Sequence, residues 1–165
     1  MSKLLILGAG NYGYVAREVA LSLNKYSNID FLDDKNPEAI GKFNDYNLFA
    51  GRYSDAFVAI GNPSVRKELF SKLSNAGFNM VKLLSPESYV SPSAIIKNGC
   101  IVEPKAVVNT EALINEGCLI CAGAIINHNC CIGEFSQIDC GAVVGANAVV
   151  ESLTKVCYNE VVYKK

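Results

Sequence analysis

The 165-residue sequence lacks both a strong net charge and a long apolar run. Fifteen Lys and Arg residues balance sixteen Asp and Glu residues, which leaves a formal net charge of −1. A protein that binds a nucleic-acid backbone needs a basic stripe, so we expect no nucleic-acid partner. No segment approaches the ~20 apolar residues that cross a bilayer, and the apolar residues 4–7 are too few for a signal peptide. We therefore expect a cytoplasmic protein with no membrane partner.

The seven cysteines are an odd number, and cytoplasmic thiols stay reduced, so the sequence does not predict a disulfide framework. Cys118, Cys121, His128 and Cys130 imitate the ligand spacing of a zinc site. Cys118 and Cys130, however, belong to a six-residue repeat and occupy the position in it that is otherwise taken by small residues such as alanine. We therefore interpret these thiols as packing residues and predict no metal.

One position in every six is a β-branched aliphatic residue from residue 94 to the C terminus. The twelve positions are Ile96, Val102, Val108, Ile114, Ile120, Ile126, Ile132, Ile138, Val144, Val150, Val156 and Val162. Two residues before each lies a small residue in eleven of the twelve hexads. This period is neither that of a helix nor that of a flat strand. It predicts a parallel β-helix in which each hexad is one short strand and turn with the aliphatic side chain inward. Three hexads make one coil, which gives four coils, or five if residues 88–90 begin the count.

The first 84 residues have the pattern of a small parallel α/β unit. Apolar runs predict strands at residues 4–7, 29–32, 57–60 and about 80–84. Helices are predicted after the G-x-G-x-x-G at residues 8–13 and from Pro63 to Gly77. Their expected inward residues are Val15, Val19 and Leu23 in the first helix, and Val65, Leu69 and Leu73 in the second. We therefore expect two domains, residues 1–84 and 85–165.

Three junctions of this unit would lie at the carboxyl ends of parallel strands, where open α/β sheets bind ligands. They are the glycine loop, Asp33 with Asp34, and residues 61–64. A glycine loop at a helix N-terminus suits a diphosphate. Asp33 lies 20 residues beyond Gly13, as in NAD-binding folds, but four strands are too few for the usual dinucleotide fold. A nucleotide or nucleotide sugar, NAD, and a purely structural turn all remain open.

The two halves together resemble the NeuD/PglD family of sugar acyltransferases. The resemblance rests on the glycine loop, on Asp33-Asp34, on the segment at residues 59–62 and on residues 91–96, which open the repeat. Its most specific stretch is residues 126–135, Ile-Asn-His-Asn-Cys-Cys-Ile-Gly-Glu-Phe. The family fold is an N-terminal Rossmann-like unit followed by a left-handed parallel β-helix. Members transfer acetyl from acetyl-CoA to an amine or hydroxyl of a sugar, often nucleotide-linked, and they form trimers.

The resemblance implies roles for particular residues. His128 falls on the general base, with Asn129 beside it, and Gln137 falls on an acetyl-CoA contact. The implied substrate contacts are Gly10, Asn11, Tyr12, Asp33, Asp34, Gly61 and Ser64. His128 is the only histidine and follows Ile126 by two residues, at a predicted turn, where an imidazole could accept a proton from substrate. The expected partners are a nucleotide sugar, acetyl-CoA and two further copies of the chain.

The sequence also departs from the family pattern. Asn129 stands where an acidic residue is common, Tyr12 and Gln137 where histidines are common, and Cys121 where an Asn is common. The family usually has at least one further coil between Val144 and Gly145. A sugar-nucleotide-binding protein without transferase activity is therefore an alternative, as is an NAD-binding domain fused to a trimerising solenoid.

Four single carboxylates are expected to be solvated: Glu103, Glu111, Glu116 and Glu134.

Overall fold

The N-terminal unit contains four parallel strands interleaved with helices. In the computed structural model, which describes residues 1–164, the elements are β1 Ser2–Leu7, α1 Asn11–Ser22, β2 Tyr26–Leu32, a 3-10 turn Phe43–Asp45, α2 Tyr46–Phe49, β3 Asp55–Val58, α3 Pro63–Asn75 and β4 Asn79–Met80. The sheet order is β2-β1-β3-β4. The order reverses between β1 and β3, and the carboxyl ends of these two strands therefore border the crevice in which such sheets bind ligands.

The strands match the expected pattern, with shifted ends. β3 begins at Asp55 rather than at residue 57, because Leu4 to Leu7 of β1 pair with Asp55 to Val58 in register. The strand expected over residues 80–84 is divided. Asn79 and Met80 pair with β3 in this sheet, whereas Leu83 and Leu84 belong to the solenoid.

The buried helix faces differ from the expected ones. α1 buries Gly13, Ala16, Val19 and Ala20, while Val15 and Leu23 are only half-buried. A Cβ atom on Gly13 would clash with the carbonyl oxygen of Gly8, so close approach to the end of β1 turns the small residues inward. In α3 the expected Leu69 and Leu73 are buried.

Val65 was expected to face the core with Leu69 and Leu73, and this was wrong. Val65 is 40% exposed, whereas its neighbour Arg66 is 1% exposed. The pattern missed Arg66 because a cation is rarely buried without partners. Its guanidinium finds partners in backbone carbonyl oxygens, as described below.

The repeat forms fourteen two-residue strands. They are β5 Leu83–Leu84, β6 Tyr89–Val90, β7 Ile95–Ile96, β8 Ile101–Val102, β9 Val107–Val108, β10 Leu113–Ile114, β11 Leu119–Ile120, β12 Ile125–Ile126, β13 Cys131–Ile132, β14 Gln137–Ile138, β15 Val143–Val144, β16 Val149–Val150, β17 Lys155–Val156 and β18 Val161–Val162. Three parallel sheets result: a first face β5-β8-β11-β14-β17, a second face β6-β9-β12-β15-β18 and a third face β7-β10-β13-β16. Each strand pairs one coil onward, as Leu113 does with Cys131. The repeat is thus a parallel β-helix, of the left-handed class that the resemblance implies.

The second residue of each strand points inward and forms the core, as the six-residue period predicts. From Val102 to Ile138 these aliphatic side chains have no exposed surface. The small residues pack in the same core, including Cys100, Cys118 and Cys130. The three thiols donate to the carbonyl oxygens of the residues that directly follow β10, β13 and β15. The distances are 2.9 Å to Asn115, 3.1 Å to Gly133 and 3.0 Å to Gly145, respectively.

At most corners of the coils, the residue before the small residue has a left-handed backbone conformation, with positive φ. The positions are Gly99, Lys105, Glu111, Gly117, Gly123, Asn129, Phe135, Gly141, Asn147, Leu153 and Asn159, with φ between +56° and +71° apart from Phe135 at +55°. Only glycine and, less readily, asparagine adopt this conformation without strain. The corners are thus fixed by backbone geometry as well as by core packing.

The chain divides into two compact units at Val81 and Lys82. This boundary lies three residues before the expected one, because Leu83 and Leu84 pair with β8 of the solenoid. Among residues 1–164 there is no helix of the length and hydrophobicity that crossing a bilayer demands.

Candidate functional site

The three glycines of the loop after β1 have different roles. Gly8 has φ of +106°, and a Cβ atom added to it would lie only 2.8 Å from the carbonyl oxygen of Ala59. A side chain at this position is therefore excluded. Gly13 permits the close approach of α1 described above. Gly10 is exposed, has an ordinary φ of −79°, and an added Cβ would meet nothing within 4 Å. Gly10 is therefore free to face a ligand, and Asn11 and Tyr12 follow it as the first residues of α1.

Asp33 fastens the loop after β2 to the glycine loop. Its Oδ2 accepts the N–H of Ala9 at 2.8 Å, and its Oδ1 accepts the N–H groups of Lys35 at 2.8 Å and Asn36 at 2.9 Å. Burial by itself raises the pKa of Asp33, but these three hydrogen bonds and the charge of Lys35 outweigh it and hold the pKa below its usual value. The carboxylate whose spacing from Gly13 suggested NAD is therefore engaged by backbone N–H groups of its own loop and of the glycine loop.

A cleft of about 550 Å³ opens beside Gly10, and sequence reasoning named only part of its lining. Tyr14 donates to Oε2 of Glu38 at 2.9 Å, and the Asn36 amide donates to the carbonyl oxygen of Ala9 at 2.7 Å. These contacts hold residues 35–38 over the glycine loop. The sequence carried no signal for Tyr14, Asn36 and Glu38 because no motif places that loop.

The third junction is ordered by Asn62 and Arg66. Asn62 caps α3 by accepting the N–H groups of Ser64 and Val65 at 3.0 and 3.1 Å. The buried Arg66 guanidinium donates to the carbonyl oxygens of Ile60 at 2.6 Å and Gly61 at 3.0 Å. The predicted residues Gly61 and Ser64 are exposed at this junction.

Asp34, exposed after β2, accepts the N–H of Phe43 at 3.1 Å and so holds the chain that leads to α2.

His128 lies at the corner between the second and third faces of the solenoid, between β12 and β13. Its side chain is exposed. Oδ1 of Asn127 accepts the backbone N–H of His128 at 2.8 Å, and the carbonyl oxygen of His128 accepts the N–H of Asn147 at 3.0 Å. The backbone that carries the imidazole is therefore fixed on both sides, while the ring is open to a ligand.

Asn129 has a structural role that the sequence did not reveal. With φ of +57° it occupies one of the left-handed corner positions, and its N–H bonds the carbonyl oxygen of Thr110 at 3.0 Å. Asparagine tolerates this conformation better than most residues. Among residues 1–164, no carboxylate hydrogen-bonds to the His128 imidazole.

Two outward rows of apolar side chains flank the histidine corner. The row on the second face is Tyr89, Val107, Ile125, Val143 and Val161; the row on the third face is Ile95, Leu113, Cys131 and Val149. Several are strongly exposed, among them Ile95 at 60% and Val149 at 62%. Continuous apolar strips of this kind mark interaction surfaces.

Gln137 lies on the outer side of the first face, away from the histidine corner of the same chain. Its Nε2 donates to Oδ1 of Asp139 at 2.5 Å, and Lys155 forms an ion pair with Oδ2 of Asp139 at 3.1 Å. Hydrogen bonding to Asp139 and the charge of Asp139 raise the pKa of Lys155. One chain therefore does not bring Gln137 and His128 together.

Glu103 was expected to be solvated, and this was wrong. It is 5% exposed, and its Oε2 accepts the N–H of Ala122 at 3.0 Å. Cys121 is also buried, with its Sγ 3.9 Å from Oδ1 of Asp139. Within residues 1–164, no three His, Cys, Asp or Glu side chains are grouped so that they could hold a metal ion.

Comparison with known proteins finds a family match for most of the first unit. Residues 3–73 match the family described as PglD N-terminal domain. The cleft beside Gly10 lies within these matched residues, and the resemblance of the chain to the NeuD/PglD family is confirmed.

Solved structures share the fold of both units. The acetyltransferase domain of PglB from Neisseria gonorrhoeae FA1090 matches with a TM-score of 0.92 and 29% identity, over 99% of this chain and 86% of that chain. The same domain in complex with acetyl coenzyme A matches with a TM-score of 0.78 and 28% identity, over 98% and 93%. PerB from Caulobacter crescentus, in complex with CoA and GDP-perosamine, shows the same fold with a TM-score of 0.75 and 21% identity, over 98% and 92%. The expected fold class, an N-terminal Rossmann-like α/β unit followed by a left-handed parallel β-helix, is confirmed.

Proposed function

We propose that this chain is an acetyl-CoA-dependent sugar acetyltransferase that acts on an amino or hydroxyl group of a nucleotide-linked sugar. The observation that carries the proposal is the exposed imidazole of His128 at a rigid corner of the β-helix. The likeness to the PglB acetyltransferase domain supports the reaction class. The cleft beside Gly10 supports a nucleotide-linked acceptor.

The nucleotide binds at the PglD N-terminal domain. Gly10 lets a phosphate approach the first N–H groups of α1, which attract anions. Asn11 and Tyr12, Asp34, and the exposed Gly61 and Ser64 contact the nucleotide sugar from the three junctions around the crevice. Asp33 serves this site indirectly, because its carboxylate holds the loop that forms one wall.

In the reaction, His128 takes the proton from the attacking amine or hydroxyl of the sugar. Imidazole changes protonation near neutral pH and suits this task. The new bond forms between the sugar N or O atom and the acetyl carbonyl carbon, and the C–S bond of acetyl-CoA then breaks. The departing thiolate recovers a proton from the imidazolium. The following coil bonds to this corner through the N–H of Asn147 and the carbonyl oxygen of His128, and a backbone N–H of that coil is the candidate donor to the transient oxyanion. Asn129 supports the corner and adds no charge to it.

The acetyl-CoA site lies between two copies of the chain in a cyclic trimer. Gln137, the proposed donor contact, and His128, the proposed base, lie on different sides of the same solenoid. A neighbouring copy packed on the apolar rows that flank the corner would bring its own Gln137 toward His128. A cyclic trimer makes three such sites and leaves no open contact.

A sugar-nucleotide-binding protein without transferase activity is the second candidate. Two observations favour it: the imidazole has no carboxylate partner among residues 1–164, and a buried Cys121 stands at the position where an Asn is common in the family.

The deciding experiment combines acetyl-CoA with UDP-, dTDP- and GDP-linked amino sugars and measures both free CoA thiol and the mass of the sugar product. We expect one nucleotide sugar to gain an acetyl group. Gly10→Leu is the matched variant, because its side chain enters open space and leaves the fold intact, yet it should abolish acceptor binding.

Each negative result has a distinct meaning. Thermal stabilisation by a nucleotide sugar without acetyl transfer to any acceptor would support the binding protein instead. Stabilisation by NAD alone would support the dinucleotide alternative.

A further inference from the structure

Gln137, Asp139 and Lys155 form a small polar cluster on the first face of the β-helix. Gln137 begins β14 and pairs with Lys155 of the next coil and Leu119 of the previous one. The outward residues of the previous coils on this face, Leu83, Ile101 and Leu119, are fully buried and apolar. Gln137 is therefore the place where the outer side of this face changes from apolar to polar.

Asp139 is the fixed member of the cluster. It is 1% exposed, although it carries a carboxylate. Its backbone N–H bonds the carbonyl oxygen of Val156 at 3.0 Å, and its own carbonyl oxygen accepts the N–H of Ala142 at 3.0 Å. Oδ2 has the Lys155 ammonium at 3.1 Å. A buried charge with such anchors stays where the backbone places it.

The orientation of the Gln137 amide follows from the chemistry of its partner. A carboxylate paired with an ammonium accepts hydrogen bonds and donates none. The side of the Gln137 amide that faces Oδ1 of Asp139 must therefore be the NH₂ group, as the 2.5 Å contact has it. The carbonyl oxygen Oε1, on the other branch of the amide, is then left to face a ligand.

We infer that Asp139 and Lys155 are positioning residues that make Gln137 present a hydrogen-bond acceptor to acyl-CoA, so that Gln137 binds an amide N–H of the pantetheine arm and not the thioester oxygen. The inference rests on the proposed function, because it needs acetyl-CoA at this face. The thioester offers no N–H group, whereas the pantetheine arm has two amides. Gln137 thus acts in holding the donor rather than in polarising the acetyl carbonyl.

The test measures the dissociation constant of CoA by calorimetry and the kcat and KM of acetyl transfer for matched variants. Gln137→Met, which keeps the length and removes both polar atoms, should raise the dissociation constant of CoA and the KM for acetyl-CoA about 3- to 10-fold, the effect of one hydrogen bond. The kcat should change much less, because the thioester is not the group held. Asp139→Asn should have a similar effect, since an amide at position 139 no longer dictates which way Gln137 turns.

An exchange of partners separates positioning from general damage to the fold. In the double variant Gln137→Glu with Asp139→Asn, the amide at 139 donates to the carboxylate at 137, and an oxygen acceptor faces outward again. CoA affinity should return toward the native value. Adenosine 3′,5′-bisphosphate, which lacks the pantetheine arm, should bind all variants as it binds the native protein.

Three results would overturn the inference. The first is that Gln137→Met binds CoA as tightly as the native protein. The second is that the double variant does not recover CoA affinity although it melts at the same temperature as Asp139→Asn. The third is that Gln137→Met lowers kcat and leaves the dissociation constant of CoA and the KM unchanged. Failure of the proposed function is distinguishable, because the native protein would then bind no CoA at all.

Discussion

At the scale of single residues, the corners of the β-helix explain several features that the period alone does not. Most corners have one residue with positive φ. The sequence fills this position with glycine, asparagine or, less favourably, with Lys105, Glu111, Phe135 and Leu153. Phe135 is nearly fully buried, and its ring lies where a side chain on Gly117 would lie. Gly117 therefore has two reasons to be glycine, whereas Gly123 has one.

Replacement of these two glycines by alanine should separate the two reasons. Gly117 has φ of +66° and Gly123 has φ of +68°, so both variants should lose about 1–2 kcal/mol from backbone strain. Only Gly117→Ala also overlaps the Phe135 ring, which should add roughly 1–3 kcal/mol. Chemical unfolding of Gly117→Ala and Gly123→Ala measures the difference. Equal losses would show that the ring moves away without penalty.

Asn129 provides a second residue-scale prediction. Aspartate also tolerates its backbone conformation, so Asn129→Asp should fold normally while placing a negative charge beside His128. If residue 129 faces the ring, this charge favours the protonated imidazole, and the rise of the pH–rate profile should move to higher pH. Superimposable profiles of the two proteins would mean that Asn129 serves the corner alone.

At the scale of elements, the loop after β2 forms one wall of the cleft beside Gly10, and the Asp33 carboxylate holds this loop in place. The pKa of Asp33 is lowered in the folded state, so its contribution to stability is present above the unfolded value of about 4 and is lost as the pH falls through the folded value. Asp33 contacts Ala9, Lys35 and Asn36, which tie two loops together.

Asp33→Asn should therefore lower the free energy of unfolding at neutral pH. Below about pH 5, the free energy of unfolding of the variant should fall less steeply with decreasing pH than that of the native protein. Melting temperatures of the two proteins across this range measure the difference, and nucleotide-sugar affinity should fall with it. A constant difference between the two curves at every pH would exclude the carboxylate as its source.

The solenoid was predictable in detail, since a six-residue period over twelve hexads has one structural solution. The helix faces were not, because Gly13 packs by its lack of a side chain and Arg66 is buried through backbone carbonyl oxygens. Of the residues that line the cleft beside Gly10, the sequence pointed only to the glycine loop and to Asp33. Asn36 and Glu38 are brought there by a loop of irregular structure, which meets Tyr14 on α1. His128 could be singled out from the sequence, but the structural role of Asn129 required its backbone angle.

At the scale of the whole molecule, the proposed site needs more than one copy of the chain. The apolar rows beside the histidine corner are the surfaces on which a copy would pack. We expect light scattering to give about three times the 17.8 kDa monomer mass. Ile125→Glu should dissociate the assembly by placing a charge in the row, whereas Leu48→Glu, at an exposed position of the N-terminal unit, should not. A monomer mass at micromolar concentration would refute the trimer.

The central claim, that this chain transfers acetyl with His128 as the base, is tested most directly by single-turnover and steady-state transfer with His128→Ala. This variant should transfer acetyl at a rate about 10²- to 10⁴-fold lower than the native protein, with the dissociation constants of CoA and of the nucleotide sugar nearly unchanged. Transfer by His128→Ala at the native rate would contradict it.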